Sequence, residues 1–387
     1  MTARVTSLTR ARAEARSKAA QREINSRLVT MLLSSVAALV IIGLVETTMA
    51  STAVAISDRS DQWFFLKRQL LGLGLGTVGL LVAARIPYQH YRRWATPLLF
   101  FTFGLLVLVL AVGIVKGGAR RWIGVLGFTF QPSELAKPVV IITLAAVMER
   151  KRKMLGDAGH FLAPVAAIVG STAVLVMLEP DLGTTIIIGA GALAVLIAST
   201  APLRFVLTTG VGAFLSALVL AFAAEYRRDR LTSFRDPWAD PGGDGYQLIQ
   251  SLYALGSGGL FGLGLGASRA RWQYLPNAHT DFIFAIIGEE TGLVGALLVV
   301  ALFAVITVVG WVVADRAPDP FGRMVAAGIT AWISLQAVVN IGGVIGALPI
   351  TGITLPFVSY GSASLVVTLG SIGILVSIAR QGRTVTR

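Results

Sequence analysis

Residues 275–313 read LPNAHTDFIFAIIGEETGLVGALLVVALFAVITVVGWVV, in which a short polar opening leads into a long apolar run. As one straight helix the run would extend about 48 Å at about 1.5 Å per residue, which exceeds the bilayer core of about 30 Å. We therefore expect its first turns to stand above the membrane or at its surface, with Gly288, Gly292 and Gly295 as places to bend. Ionisable groups at such a boundary are costly, so the polar opening is a functional-site hypothesis.

The composition of the whole chain indicates a membrane protein. Hydrophobic residues make up 55% of the 387 residues and charged residues only 14%, whereas a soluble domain carries about a quarter charged residues. Apolar runs recur along the whole length, and strand-like alternation is absent. Because only helices and closed barrels satisfy the backbone in lipid, we predict an all-α polytopic membrane protein.

Ten apolar runs are predicted transmembrane helices, and together they define one membrane domain over residues 28–379. They cover residues 28–46, 69–86, 97–114, 134–148, 161–178, 183–199, 204–223, 281–313, 322–342 and 364–379. Basic tails at residues 1–27 and 380–387 flank the domain, so the distribution of Lys and Arg predicts that both termini are cytoplasmic. The first outward loop is then residues 51–62.

The even number of spans also decides which polar segments share the outer face. These are residues 116–138, 179–181, 225–280 and 346–364, and 225–280 is a large outward loop between the seventh and eighth helices. We therefore expect the polar chemistry to collect on one side of the membrane.

The net charge of +13 does not indicate nucleic acid, because its Lys and Arg concentrate in the first 27 residues and in short connections. That placement fits membrane orientation and contact with membrane lipids. The chain has no cysteine, which excludes disulfides and thiolate metal sites. The first apolar run is long enough to span, so no cleavable signal peptide is expected.

The segment 116–138 is too polar to span and too apolar for an ordinary loop. Its adjacent Arg120 and Arg121 suit a diphosphate, because guanidinium forks match phosphate oxygens. Ser133 is positioned to cap the fourth helix, with Glu134 in the first turn and Lys137 three residues later on nearly the same face. The alternative is headgroup anchoring by the arginines and a local Glu–Lys pair.

The turn that contains Glu179 and Asp181 joins the fifth and sixth spans. Its simplest interpretation is a helix stop and restart, with Asp181 as the cap of the next helix. The alternative is that the two carboxylates hold a cation or orient a sugar hydroxyl.

In the 225–280 loop, basic residues occur among aromatic residues. The basic residues include Arg227, Arg228, Arg230 and Arg235. Basic and aromatic residues together can indicate nucleic acid. On an outward loop of a membrane protein they favour an anionic lipid or a diphosphate instead. The glycine-rich stretch at 256–272 lacks the Lys-Ser/Thr of a phosphate-binding loop, so it is a weak nucleotide signature.

The polar opening at 275–281 offers a candidate general base. Thr280 can cap a helix that starts at Asp281, and the helix N-terminus would favour the ionised carboxylate while burial would raise its pKa. A charged but poorly hydrated carboxylate is what a general base requires. His279 is expected as a hydrogen-bonding partner. Glu289 and Glu290 lie about 12–13 Å further along a straight helix. They are expected either to form a proton or ion path or to pair with a basic side chain.

Several of these segments resemble the SEDS family, the shape, elongation, division and sporulation proteins. The resemblance rests on GARRWIG (118–124), QPSELAKP (131–138), EPDLGT (179–184), HTDFIFAIIGEETGLVG (279–295) and LPITGITLPFVSYG (348–361), which occur in the order typical of the family. The stretch 251–276 resembles the division members more than the elongation members.

The resemblance implies a peptidoglycan glycosyltransferase that polymerises lipid II on the outer face of the bacterial cytoplasmic membrane. It implies a class B penicillin-binding transpeptidase and other division proteins as partners, localisation at the septum, and no nucleic acid. The essential Asp of the family falls on Asp281, and its first outer motif falls on Arg121, Glu134 and Lys137. No cofactor follows beyond a divalent cation, Mg²⁺ or Mn²⁺, as an option.

Two departures from the family pattern are visible. Asn277 stands where the family commonly has Glu, so an acidic role is not carried over to that position. The usual SYGGSS reads SYGSAS at 359–364, which changes the backbone freedom beside Ser359.

The combined hypothesis assigns Asp281 as the base that accepts a proton from the acceptor sugar. Arg121 and Lys137, with Arg120, balance charge on the departing diphosphate, and Glu134, His279 and Ser359 complete the expected substrate-binding set. Glu179, Asp181, Glu289 and Glu290 are expected to support them. The cavity must admit two lipid tails, so we expect a lateral opening between helices. The alternatives are a lipid II flippase, an elongation polymerase and a structural scaffold of the division machinery.

Overall fold

The structure, a computed structural model, describes residues 2–59, 61–116, 118–125, 128–270, 272, 275–276 and 278–383. The α-helices along these residues are α1 (Thr2–Arg59), α2 (Phe64–Arg85), α3 (Tyr91–Val112), α4 (Pro132–Arg150), α5 (Ala158–Val165), α6 (Ser171–Leu178), α7 (Leu182–Ala198), α8 (Leu203–Phe222), α9 (Glu225–Arg235), α10 (Tyr246–Gly258), α11 (Ile283–Asp315), α12 (Pro320–Val344) and α13 (Ser362–Arg380). A π-helical turn, Ala166–Gly170, joins α5 to α6, and a 3₁₀ turn, Tyr88–His90, leads into α3.

Eight helical segments among the described residues are long and apolar enough to cross a membrane, which supports the predicted polytopic helical membrane protein. They are Lys18–Ser51, Phe64–Arg85, Tyr88–Val112, Ala158–Leu178, Leu203–Phe222, Ile283–Asp315, Pro320–Val344 and Ser362–Arg380. Each overlaps one of the ten predicted runs. The other two runs fall on α4 and α7. α7 is apolar but has only 17 residues. α4 contains the charged residues Glu134 and Lys137 in its first two turns.

The interior of the bundle lies around α12, α13 and α4. α4 is buried almost all round, as expected for a helix enclosed by other helices. Trp332 of α12 is one of the largest fully buried side chains, with 1% of its surface exposed. α8 is the opposite case, because among its residues only Val206 is buried. α8 therefore lies at the periphery of the bundle.

A small sheet corrects the expectation of a purely helical chain. β1 (Ile114–Lys116), β2 (Ala119–Val125) and β3 (Phe128–Phe130) form an antiparallel sheet in the order β1-β2-β3. In its register Val115 lies opposite Arg120, and Gly124 lies opposite Thr129. The strands are only three to seven residues long, too short for the alternation of a longer strand to show in the sequence. β2 and β3 lie in the predicted non-spanning segment 116–138, and β1 leads into it.

The boundaries of α1 differ from the prediction. The basic tail and most of the predicted loop at 51–62 belong to one continuous helix, Thr2–Arg59. The tail is rich in Ala and Arg, and both residues have a high intrinsic helix propensity. The predicted start of the membrane run at residue 28 is therefore not a break in secondary structure.

Two predicted helix caps are also wrong. α4 begins at Pro132 with Gln131 at the N-cap position, and the predicted cap, Ser133, lies inside its first turn. Proline favours the first helical position because its fixed φ is already helical and the N–H it lacks would be unsatisfied there. α11 begins at Ile283, after a turn that contains Thr280 and Asp281, and Phe282 at its N-cap makes no side-chain cap bond.

The predicted bend in the long helix is confirmed at one of the three glycines. Gly292 has φ 68° and ψ −167°, which divides α11 into a short first part and a longer second part of residues 293–315. The second part extends about 34 Å, close to the thickness of a bilayer core. The over-long run is therefore a spanning helix preceded by a short helical segment.

Helices from the two ends of the chain pack closely. A Cβ on Gly72 of α2 would lie 2.7 Å from the Cβ of Ser362 of α13, and a Cβ on Gly373 would lie 2.4 Å from the carbonyl oxygen of Leu80. Small residues at such contacts let helix backbones approach each other in a membrane. The Gln69 side chain adds a hydrogen bond, because its Oε1 accepts from the amide of Gly361 at 3.2 Å.

Candidate functional site

One end of the bundle contains a cavity of about 610 Å³, hereafter the site cavity. Its wall comes from the sheet, from the turns before α7 and α11, from α7, α8, α9 and α12, and from the loop before α13. The lining residues are Gly118, Ala119, Arg121, Pro180, Asp181, Leu182, Gly183, Ile186, Ile187, Ala221, Arg227, Arg230, Leu231, Asp281, Val339, Leu348, Pro349, Ile350, Thr351 and Gly352. The predicted outward segments therefore contribute to one site.

Asp281 lines the site cavity from the turn before α11. The Asn340 amide fixes this turn, since its Nδ2 donates to the main-chain oxygens of Asp281 and Ile353, each at 2.8 Å. Across the cavity wall, Asp281 Oδ2 lies 3.8 Å from the position that a Cβ on Gly352 would take. Gly352 has φ +72°, so glycine both permits this backbone and leaves the space beside the carboxylate open.

Ser359 and His279 lie behind Asp281 and do not line the cavity. Ser359 Oγ donates to the main-chain oxygen of Thr280 at 2.6 Å and accepts from the amide of Leu355 at 2.8 Å. The main-chain oxygen of His279 accepts a hydrogen bond from the Tyr360 amide at 3.0 Å. The centroid of the His279 ring lies 5.0 Å from the centroid of the Phe65 ring. Both residues therefore tie the Asp281 turn to the segment that precedes α13.

Of the two predicted arginines, the structure brings only Arg121 to the cavity. Its Nε donates to the carbonyl oxygen of Glu179 at 2.8 Å, and its Nη2 donates to that of Pro180. These bonds hold the guanidinium against the turn before α7. Arg120 is exposed on the adjacent strand position, where its Nη1 lies 3.5 Å from the carbonyl oxygen of Ala111.

Glu134 and Lys137 form a buried ion pair beneath the cavity. Lys137 is 1% exposed, and its Nζ lies 2.7 Å from Glu134 Oε1 and 3.1 Å from Gln336 Oε1. Gln336 Nε2 donates to the main-chain oxygen of Thr354 at 2.9 Å, which connects the pair to the loop before α13. Neither ionised side chain lines the site cavity, so their direct contact with substrate stays a prediction.

Asp181 and Glu179 have different surroundings. Asp181 caps α7 as predicted, since its Oδ1 accepts from the amide of Thr184 at 2.9 Å, and its Oδ2 accepts from Gln131 Nε2 at 3.1 Å. Glu179 is fully buried, and neither carboxyl oxygen has a hydrogen-bond partner among the described residues. Burial and the neighbouring Asp181 raise the pKa of Glu179 to about 8, against the opposing effect of Arg121.

The acidic side chains do not converge on a metal site in the described part of the chain. No group of three or more His, Asp or Glu side chains there has the arrangement of a metal centre. Of the two carboxylates predicted as alternative cation ligands, Asp181 is engaged in the helix cap and its hydrogen bonds.

Glu289 and Glu290 accept hydrogen bonds from the glycine-rich loop that follows α10. Neither forms an ion pair with a basic side chain in the described part of the chain, and the proton or ion path stays a prediction. Glu289 Oε1 accepts from the amide of Arg269 at 3.0 Å, and its Oε2 accepts from Ser268 Oγ. Glu290 Oε2 accepts from the amide of Gly266 at 2.8 Å. The two buried carboxylates thus hold this loop against the kinked start of α11. Asn277 lies outside the described residues.

Two cavity arginines were not among the predicted site residues. Arg227 and Arg230 of α9 line the cavity, and Arg230 Nη1 lies 3.7 Å from the position of a Cβ on Gly352, close to the Asp281 carboxylate. The basic cluster at 225–235 was the available signal, but a charge run alone does not tell which side chains converge. With Arg121 they give the cavity an excess of cations over Asp181 and Asp281, which suits an anionic ligand.

Asn340 was also missed. The sequence feature that could have identified Asn340 is a polar side chain inside an otherwise apolar run. Such a side chain is costly in a membrane and is therefore a candidate functional residue.

Comparisons with known proteins agree in one family. A family model described as a cell cycle protein, for FtsW, RodA and SpoVE, matches residues 29–384. Stage V sporulation protein E of Bacillus subtilis (strain 168) is 43% identical over 349 residues, which cover 89% of this chain and 95% of that protein. A protein of Geobacter sp. (strain M18), named probable peptidoglycan glycosyltransferase FtsW, is 40% identical over 343 residues, 88% of this chain and 94% of the relative.

The fold has a counterpart among solved structures. A chain from a peptidoglycan synthase complex, studied for the coordination of polymerization and crosslinking, superposes with a TM-score of 0.73 and 29% sequence identity. The match covers 90% of this chain and 97% of the other.

Proposed function

We propose that this chain, which belongs to the FtsW/RodA/SpoVE family of cell cycle proteins, is a peptidoglycan glycosyltransferase that polymerises lipid II at the outer face of the bacterial cytoplasmic membrane. Relatives named as peptidoglycan glycosyltransferases support the activity. The observation that carries the proposal is the site cavity, in which the Asp281 carboxylate shares one wall with Arg121, Arg227 and Arg230.

The reaction is a glycosyl transfer between two lipid-linked saccharides. A bond forms between the hydroxyl oxygen of the acceptor sugar and the anomeric carbon of the donor, and the bond from that carbon to the diphosphate oxygen breaks. The diphosphate leaves with the electron pair, and Asp281 takes the hydroxyl proton. Diphosphate is a good leaving group, so the arrangement needs a base and charge stabilisation rather than a strong acid.

The cavity arginines have the charge and geometry for the departing diphosphate. Guanidinium groups offer bidentate hydrogen bonds to phosphate oxygens. Arg121 is held in place by the Glu179 and Pro180 carbonyls, so it presents a fixed cation. Arg230 lies near Asp281 and links the leaving-group side of the cavity to the base. These residues replace Arg120 and Lys137 in our assignment of the diphosphate site.

The apolar part of the cavity wall supports a lipid-linked substrate. Ile186, Ile187, Ala221 and Leu231 line it on the side of α7, α8 and α9. We assign this side to the first carbons of a polyprenyl chain, because α8 at the edge of the bundle packs little of its surface against the protein.

The topology is part of the proposal. α4 and α7, together with the eight long apolar segments, make ten spans, and both tails are cytoplasmic. The site cavity then opens on the outer face. The basic side chains at the other end of the bundle support this orientation, and there Arg92 pairs with Glu149 at 2.8 Å.

We assign the polymerase to septal synthesis during cell division, with a class B penicillin-binding transpeptidase as its partner and lipid II as its substrate. The relatives named FtsW and the complex that combines polymerization with crosslinking support this assignment. The 43% identical sporulation protein supports a second candidate, synthesis of peptidoglycan during sporulation.

The decisive experiment supplies lipid II to the purified chain in detergent, where no membrane sides exist. We expect lipid-linked glycan strands, measured by gel electrophoresis of labelled product. A flippase or a scaffold makes no glycan under these conditions. Absence of product, with and without an added transpeptidase partner, would refute the enzyme assignment.

A further inference from the structure

A second cavity adjoins the site cavity and has no role in the transfer described above. It has a volume of about 320 Å³ and lies between α9, the 242–248 segment at the start of α10, and Pro276. Arg230 and Ile350 line both cavities. The two cavities therefore have these two side chains in common as part of their walls.

The second cavity is lined by groups that suit hydroxyls and amides. Asp244, Tyr246 and Gln247 contribute a carboxylate, a phenol and a carboxamide, and Phe234 adds an apolar ring. The side chains of Asp244, Tyr246 and Gln247 make no hydrogen bond with any described part of the chain, so their polar atoms are available to a ligand.

The charges of the two cavities differ. The site cavity has Arg121 and Arg227 in addition to Arg230, whereas in the second cavity Arg230 is accompanied by the carboxylate of Asp244. A diphosphate is therefore favoured in the site cavity. A saccharide with hydroxyl and amide groups, and little charge of its own near Asp244, is favoured in the second.

We infer that the second cavity binds one sugar of a second lipid-linked saccharide, the acceptor, while the site cavity holds the diphosphate and anomeric carbon of the donor. The inference rests on the proposed glycosyl transfer, which requires two saccharides at once. Arg230 then lies between the two substrates, and the acceptor hydroxyl reaches Asp281 past this side chain.

Gly242 offers a way to fill the second cavity. It lines that cavity and not the site cavity, and a Cβ built on it meets nothing within 4 Å. Gly242→Trp is therefore expected to fill the space without straining the backbone. Gly256→Trp is the matched control, because Gly256 of α10 also faces open space and lines neither cavity.

The test counts the equivalents of labelled lipid II that the full chain binds in detergent, with every variant in an Asp281→Asn background to prevent turnover. We expect two equivalents for Asp281→Asn, two with Gly256→Trp added and one with Gly242→Trp added. Gln247→Ala, which leaves the backbone unchanged, should weaken the second equivalent about tenfold and leave the first unchanged.

Two results would overturn the inference. One is a single equivalent bound by Asp281→Asn alone, and the other is two equivalents of unchanged affinity in both Gly242→Trp and Gln247→Ala. Failure of the unsubstituted chain to polymerise lipid II is a separate result, which counts against the proposed function and leaves the binding count interpretable.

Discussion

At the scale of single residues, the site is built from few side chains held by many backbone contacts. Asp281 is fixed through its main-chain oxygen by Asn340, and the residue before it is fixed by Ser359. The carboxylate is thus oriented without occupying its oxygens in these bonds. Such second-layer hydrogen bonds hold a functional group near its productive geometry.

Asp281→Asn is expected to lower the rate of lipid II polymerisation by about 10²–10⁴-fold, the usual contribution of a general base. Asn has nearly the same shape but does not accept a proton, so folding should be unaffected. The rate of glycan formation in detergent measures the effect, with thermal unfolding as the check of fold. Asp236→Asn, at an exposed position outside the cavity, is the control and should retain activity.

Arg230→Ala is expected to raise the half-saturating concentration of lipid II by about tenfold or more, because a charge-assisted hydrogen bond contributes about 1.5–3 kcal/mol. Arg228→Ala removes the same charge from the same helix at an exposed position that does not line the cavity. Kinetics over a range of lipid II concentrations give the half-saturating concentration for each of the two variants. Equal effects of both substitutions would mean that only net charge matters.

The carboxyl group of Glu179 predicts a pH dependence of stability. Its pKa is raised from 4.5 to about 8, so between these values the folded protein holds a proton that the unfolded chain has released. The contribution of Glu179 to stability should therefore be fully present below about pH 4.5 and be lost as the pH rises toward 8. Thermal unfolding of Glu179→Gln should show a smaller fall over this window, and an identical slope would contradict the assignment.

At the scale of elements, the glycine-rich loop and the start of α11 behave as one unit. The kink at Gly292 frees carbonyl groups of the preceding turn, and those of Glu289 and Glu290 accept from the amides of Leu263 and Gly264, each at 3.0 Å. The side chains of the same two glutamates bind the next part of the loop. Glu289 and Glu290 therefore accept hydrogen bonds from this loop with both their backbone carbonyl groups and their side-chain carboxylates.

Glu289→Gln should loosen this loop, because one carboxylate acceptor becomes an amide donor that faces the N–H group of either residue 269 or residue 270. We expect faster hydrogen exchange of the amides at 266–270 and a loss of about 1–3 kcal/mol of stability. Exchange followed by mass spectrometry locates the change. Glu149→Gln, at the opposite end of the bundle, should leave exchange in this loop unaltered.

At the scale of the whole molecule, the absence of cysteine makes the proposed topology directly testable. Gly242 and Gly156 both face open space, and we place them on opposite sides of the membrane. A cysteine introduced by Gly242→Cys should react with an impermeant maleimide in intact cells, whereas Gly156→Cys should react only after permeabilisation. Labelling of both positions in intact cells would contradict the ten-span topology.

Hydrophobic runs predicted where the long helices lie, because the period and length of an apolar segment are local properties of the chain, although α1 extends well beyond its predicted run. They also predicted which polar segments carry the site, and Asp281, Arg121 and Asp181 do line one cavity. Local patterns do not predict which side chains meet. The local Glu134–Lys137 pair, which the spacing predicts as an alternative, is present, whereas Arg230 and Asn340 matter only through contacts with residues far away in the chain.

The pairing of α2 with α13 has a consequence for how the protein is made. Gln69 and Gly361, which bond across this contact, are 292 residues apart, and translation at about 5–20 residues per second separates their synthesis by about 15–60 s. During that interval the glycine face of α2 has no partner from its own chain. We therefore expect lipid or the insertion machinery to cover this face until the last helix arrives, and ribosome stalling before residue 362 should leave α2 accessible to crosslinking.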